Sequence, residues 1–210
     1  MKRMLSAALA AVGLSGIAVL ASAPVIASAG TGAVYGPIAA RLGSLNTKLK
    51  DLHQHSPLTS SDSYALCQII TRDISGLTQL NAEIQSTSSK QQLAQDKLDV
   101  YRDFYVYLLV GPQFDLTTAA DAGAQAAADL RNQEPSLQSE ATTPLKKAEY
   151  ANLVVNVNTA LAILPGIGPS VLSQTPFTNF RPVVATDAKA VARGLAALDK
   201  AEADASLIAG

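Results

Sequence analysis

The chain has 210 residues, with 16 Lys and Arg against 17 Asp and Glu and a formal net charge of −1. So even a balance argues against a nucleic-acid binder, which needs a basic face, and against simple electrostatic attachment to anionic lipid. A single cysteine, Cys67, excludes an internal disulfide, so the fold must rest on its apolar core.

The opening stretch, MKRMLSAALAAVGLSGIAVLASAPVIASAG, reads as a signal peptide over residues 1–29. Lys2 and Arg3 supply the positive start. Leu5 to Leu20 form an uncharged apolar run of about sixteen residues, short of the roughly twenty that span a bilayer. Pro24 then interrupts, and Ala27-Ser28-Ala29 offer the small side chains that a signal peptidase cleft accepts. No cysteine adjoins this point, which speaks against a lipid anchor. Cleavage after Ala29 leaves residues 30–210 as the expected single domain, exported to a periplasm, a cell envelope or the medium. Loss of Lys2 and Arg3 lowers the basic count from 16 to about 14 against 17 acidic residues, so the mature chain is mildly acidic.

The remaining pattern is helical, and the expected fold is all-α, an antiparallel bundle of five to six helices. Ile38, Leu42, Leu45, Leu49 and Leu52 make the seam of a first helix that Pro37 opens and Pro57 ends. Ser, Thr and Asp in SPLTSSD can cap a second helix, which buries Leu66, Ile70, Ile74, Leu77 and Ile84 and frays at QSTSSK. Cys67 shares a face with Ile70 and Ile74 and reads as a small apolar residue. Ser88 and Gln91 have capping-box spacing, so a third helix starts near Lys90. Its inner face holds Leu93, Val100 or Tyr101, Phe104 and Leu108, and Gly111-Pro112 is expected to stop it. Strand competes over YVYLLV, but the lead-in QQLAQDKLDVYRDF has no alternation, which favours helix.

An alanine-rich fourth helix is expected from Thr117 to Asn132, followed by a polar loop, NQEPSLQSEATTP. Thr143 and Pro144 open a fifth helix with Tyr150, Val154, Val157, Leu161 and Leu164 inward, ended by PGIGP. Ser170 to Arg181 reads as irregular. The last helix, from Pro182 or Thr186 to Ala205, turns Val184, Ala188, Val191, Leu195 and Leu198 inward and Asp187 to solvent.

No motif points to catalysis, and no cofactor is implied. His53 and His55 lie two apart on a helix, not in the i, i+4 pair of a zinc helix, so no metal site is expected. Asp99 and Asp103 are i, i+4 neighbours; acid–base work is one reading, pairing with Lys97 and Arg102 the other. GIGPS lacks the Lys and the strand of a phosphate loop and reads as a turn.

Two uncharged windows stand out: FYVYLLVGPQF, from Phe104 to Phe114, and the thirty residues from Ala151 to Phe180. Either the fifth helix is central and covered, or part of this surface meets an apolar partner. The second reading names Tyr105, Tyr107, Phe114, Ile167, Phe177 and Phe180 as candidate binding residues. They would serve an apolar small molecule, a lipid or a protein partner. The expected function is thus non-enzymatic binding. Its alternatives are a homo-oligomeric assembly module of the envelope and a protein that contacts or inserts into a membrane.

Overall fold

The computed structural model describes residues 34–55 and 57–210. The expected signal peptide and its expected cleavage site lie outside the described residues, as does the side chain of His55. The described chain is all-α, with no strand among the described residues. In order come α1 (Gly36–His55), α2 (Ser60–Ser86) and α3 (Lys90–Arg102). A π-helical turn, Val106–Val110, runs directly into α4 (Gly111–Glu140). Next come α5 (Pro144–Ile163), a 3-10 turn at Leu164–Gly166, α6 (Ile167–Leu172) and α7 (Phe180–Ala209).

Three helices start at the hydroxyl caps their sequences offer. Thr59 Oγ1 accepts from Asp62 N at 3.2 Å, Ser89 Oγ from Gln92 N at 3.3 Å, and Thr143 Oγ1 from Lys146 N at 3.2 Å. Each bond satisfies one donor that the first helical turn leaves without a partner. The cap of α3 is Ser89, one residue beyond the expected Ser88.

Apolar side chains gather in two clusters. One joins Ile38, Leu45 and Leu52 of α1 to Leu66, Ile70 and Leu77 of α2, Val100 of α3 and Val106 of the π turn. The other joins Ala120, Ala127 and Leu130 of α4 to Leu153 and Val157 of α5 and to Val191, Leu198 and Ile208 of α7. Cys67 is partly buried against the first. Leu172, near the end of α6, packs against both. Between α5 and α7, Lys146 Nζ donates to the Ile208 carbonyl and Asn156 Nδ2 to Asp204, so these two helices run in opposite directions.

Several boundaries differ from the sequence-based expectation. Gly111-Pro112 opens α4 instead of stopping the preceding helix, because Pro needs no donor in a first turn. The stretch from Gln133 to Glu140, expected as loop, is the end of α4 despite Pro135: Leu137 and Ala141 are buried in the second cluster while Pro135 stays exposed. PGIGP bends the helix through a 3-10 turn into α6. Asp187, expected in solvent, is buried and accepts from Ser170 Oγ at 2.9 Å. Ala188 is exposed instead.

Candidate functional site

The aromatic window Phe104–Phe114 is built around a break in the helix. Arg102 forms ion pairs with Asp99 and Asp103, each at 3.0 Å; Asp103 caps the end of α3, and the backbone leaves helical geometry by Tyr105. Phe104 then turns inward over Gly76, where any Cβ would come within 2.7 Å of its ring. In the π turn, Tyr105 O accepts from Leu109 N at 2.8 Å, and Gly111 N donates back to Val106 O. Such turns admit an extra residue and rotate every side chain that follows.

Arg41 of α1 spans this break. Its Nε donates to Phe104 O at 3.4 Å and its NH1 to Pro37 O at 3.0 Å. The guanidinium lies 4.8 Å from the Tyr101 ring centre, ahead of the break, and 5.4 Å from Tyr107, after it. Arg41 is itself buried, while Tyr101 and Tyr107 are each 52% exposed. Tyr35 extends the row. Lys97 stands over its ring at 5.4 Å, and its N–H donates to Asn81 Oδ1. Burial, then the neighbouring Tyr101, pushes the Tyr35 hydroxyl above its ordinary pKa of 10.0. Leu98, one turn before Tyr101, and Leu108, next to Tyr107, are exposed apolar residues. Two half-exposed tyrosine rings thus lie against one buried guanidinium, a cation–π arrangement at the surface.

The six candidate residues from the sequence fall into different places. Tyr107 belongs to this surface. Tyr105 is half-buried and meets Phe180 edge to face, ring centres 5.4 Å apart at 62°. Phe180, Phe114 and Ile167 are interior. Phe114 lies in the first cluster beneath Lys48 Nζ, 4.5 Å from its ring, and Lys48 also pairs with Asp115 at 2.7 Å. Ile167 lies in the second cluster. Phe177 is 86% exposed in the irregular link before α7. Tyr101, Arg41, Tyr35 and Leu98 were not among the candidates, because the uncharged-window criterion excludes the Asp- and Arg-bearing helix that carries Tyr101.

The uncharged stretch Ala151–Phe180 is part core, part surface. Leu153, Val157, Ala160, Leu164 and Val171 are buried, whereas Ala151, Asn152, Val155, Asn158 and Ala162 line an exposed, ion-free face of α5. The continuous helical stretch Pro144–Leu172 is long and apolar enough to cross a membrane by length and composition, and a third of its most apolar part is buried.

A cleft of about 410 Å³ lies where the two clusters meet, lined by Pro57, Leu58 and Thr59, by Asp62 of α2, by Asp121 of α4, and by Pro165 and Pro169. Thr59 N donates to Asp121 Oδ2 at 2.8 Å, and Ser61 Oγ to Asp62 Oδ1 at 3.3 Å. Burial and, behind it, the charge of Asp62 push the Asp121 carboxyl above its ordinary 3.8, against the opposing pull of the Thr59 N–H. Periodicity gave no signal for this pair, since the two residues lie on different helices. Asp99 and Asp103 share Arg102 at the end of α3, and His53 is exposed near the end of α1. No cluster of three or more His, Cys, Asp or Glu suited to a metal occurs among the described residues. No family model, no characterised protein and no solved structure matches this chain.

Proposed function

We propose that the chain is an exported, non-enzymatic antiparallel helical-bundle protein that binds a protein partner through the surface of Tyr35, Tyr101 and Tyr107 around Arg41. One observation carries this reading: a buried guanidinium stacked on two tyrosine rings that are each about half open to solvent. Holding the rings in place before binding lowers the entropy cost of ordering them, and Tyr and Arg are enriched in binding hot spots. A protein partner is favoured over an apolar small molecule because the rings lie on an open surface beside exposed leucines. Engagement of Asp99 and Asp103 by Arg102 favours binding over acid–base catalysis.

The test is a photoreactive residue placed at Leu108 in the native host, with Arg131, exposed on α4, as control position. A discrete heavier adduct from position 108, absent from 131 and lost with Tyr101→Ala, supports the reading. Equal labelling from both positions would contradict it.

A second reading is favoured by the ion-free face of α5, where Ala151, Val155 and Ala162 would let two copies approach closely. On this reading the protein is a homo-oligomeric assembly module, or rests that face on a membrane surface. Light scattering of the purified domain, with and without liposomes, separates these. A monomer that ignores liposomes leaves the partner-binding reading alone.

A further inference from the structure

We propose that the partner segment met by the tyrosine surface is acidic, with an Asp or Glu carboxylate on the open side of the Arg41 guanidinium and Lys97 beside it. This rests on the partner-binding reading above and adds the chemical class of the partner. Arg41 is only 9% exposed, yet no carboxylate pairs with it among the described residues. Its Nε and NH1 each donate to a backbone carbonyl, those of Phe104 and Pro37. Its NH2 meets no acceptor among the described residues and is not fully enclosed, so it reaches the surface. Lys97, one turn before Tyr101 on the same face of α3, likewise has no acid partner among them, and its Nζ lies over the Tyr35 ring.

A structural role accounts for part of this. The two carbonyl bonds hold the chain where it leaves α3, and the faces of Tyr101 and Tyr107 offset some of the positive charge. It does not account for the charge itself, because a buried cation is costly unless an anion joins it. The acids of α3 are already engaged. Asp96 is buried and accepts from the Gln92 side-chain amide, while Asp99 and Asp103 pair with Arg102.

The number of open cations selects the kind of anion. Arg102 and Lys48 are neutralised by acids of their own, so the positive groups set against the tyrosine rings are Arg41 and Lys97. Phosphorylated segments and anionic membranes are held by clusters of several Arg and Lys. A carboxylate needs less: one guanidinium edge, with a second cation near by, satisfies it. Tyr101 and Tyr107, each half open, and the exposed Leu98 and Leu108 then take apolar side chains that flank the carboxylate in the segment. The fitting partner is therefore a stretch that alternates acidic and apolar residues.

The test is NMR of the purified protein, labelled at arginine side chains and tyrosine rings. The probes are the peptide acetyl-Leu-Asp-Leu-Asp-Leu-amide, its Asn and Lys counterparts, and phosphatidylglycerol vesicles. At millimolar concentration the Asp peptide should shift the Arg41, Tyr101 and Tyr107 signals, and the Asn and Lys peptides should bind about tenfold more weakly or less. Arg41→Gln should weaken the Asp peptide by about tenfold or more, and Lys97→Glu, which leaves the Arg41 carbonyl bonds in place, by about threefold or more. No shift with the Asp peptide overturns the proposal, as does equal binding of the Asn peptide. So do the same shifts with vesicles and not with the peptide, or a folded Lys97→Glu protein that binds as the parent does. The Leu108 adduct separates this proposal from the reading beneath it. An adduct in the host alongside any of these failures removes the acidic class and leaves a partner of other chemistry, whereas no adduct removes both.

Discussion

Leu164 is seated against Gly194 so closely that a Cβ on the glycine would lie 2.6 Å from Leu164 Cδ2. On its other side the same leucine meets Gly123, where a Cβ would come within 2.8 Å of Cδ1. Two glycines, one on α4 and one on α7, thus form the socket for a single fully buried side chain at the bend between α5 and α6. Close approach, not a special backbone conformation, is what these glycines provide.

Leu164→Ala is therefore expected to cost roughly 2–5 kcal/mol by leaving a cavity, and Gly194→Ala about 1–3 kcal/mol by overfilling one. Because the two changes act on the same space, the double variant should lose less than the sum of the singles. Urea unfolding of the four proteins reads this directly. Strict additivity would mean that the socket is not shared.

Gln113 Nε2 donates to the Val171 and Gln174 carbonyls, both at 3.0 Å, and fastens the start of α4 to the end of α6. Gln113→Leu leaves these carbonyls without their donor, at an expected cost of roughly 1–3 kcal/mol. Thermal unfolding of the variant checks this, and an unchanged midpoint would show that the carbonyls are satisfied in another way.

Asp73 and Asp121 give a pH dependence of defined sign. Burial raises both carboxyls above the ordinary 3.8; Arg72 opposes it at Asp73, and the Thr59 N–H at Asp121. A carboxyl whose folded pKa is raised favours the fold while protonated, below 3.8, and that contribution is lost as pH rises through the folded pKa. Asp73→Asn and Asp121→Asn should therefore gain stability over the parent at neutral pH, and the gain should vanish below the ordinary carboxylate range. Melting curves across pH test this. A gain that persists in acid would assign the effect to packing instead of charge.

The proposed signal peptide makes a separate prediction. Intact-mass measurement on exported protein should give a chain beginning at Gly30, after Ala29. A first residue at Met1 would remove export with cleavage from the account.

Much of the fold was legible because heptad-like apolar spacing and hydroxyl caps act locally. Ile38, Leu45 and Leu52 face inward as their spacing implies, and Thr143-Pro144 opens α5. What stayed hidden depends on distant contacts. Helix continues through Pro135 because Leu137 reaches the second cluster, and Leu108 turns outward because the break after Asp103 and the π turn change the phase of the face. Charge content located Tyr107 but not Tyr101, whose ring is positioned beside Tyr107 by an arginine sixty residues upstream. Asp62 and Asp121 were invisible for the same reason: each looks like an ordinary helix-surface acid until the two are brought to one cleft.

The most direct test of partner binding is tyrosine nitration, carried out once in the native setting and once on purified protein, with mass spectrometry reading each site. Tyr64, 68% exposed on α2, is the internal reference. The account predicts that Tyr101 and Tyr107 are shielded relative to Tyr64 in the native setting and become reactive on purification. The same ratio in both settings would mean that nothing covers the Arg41 surface, and would contradict it.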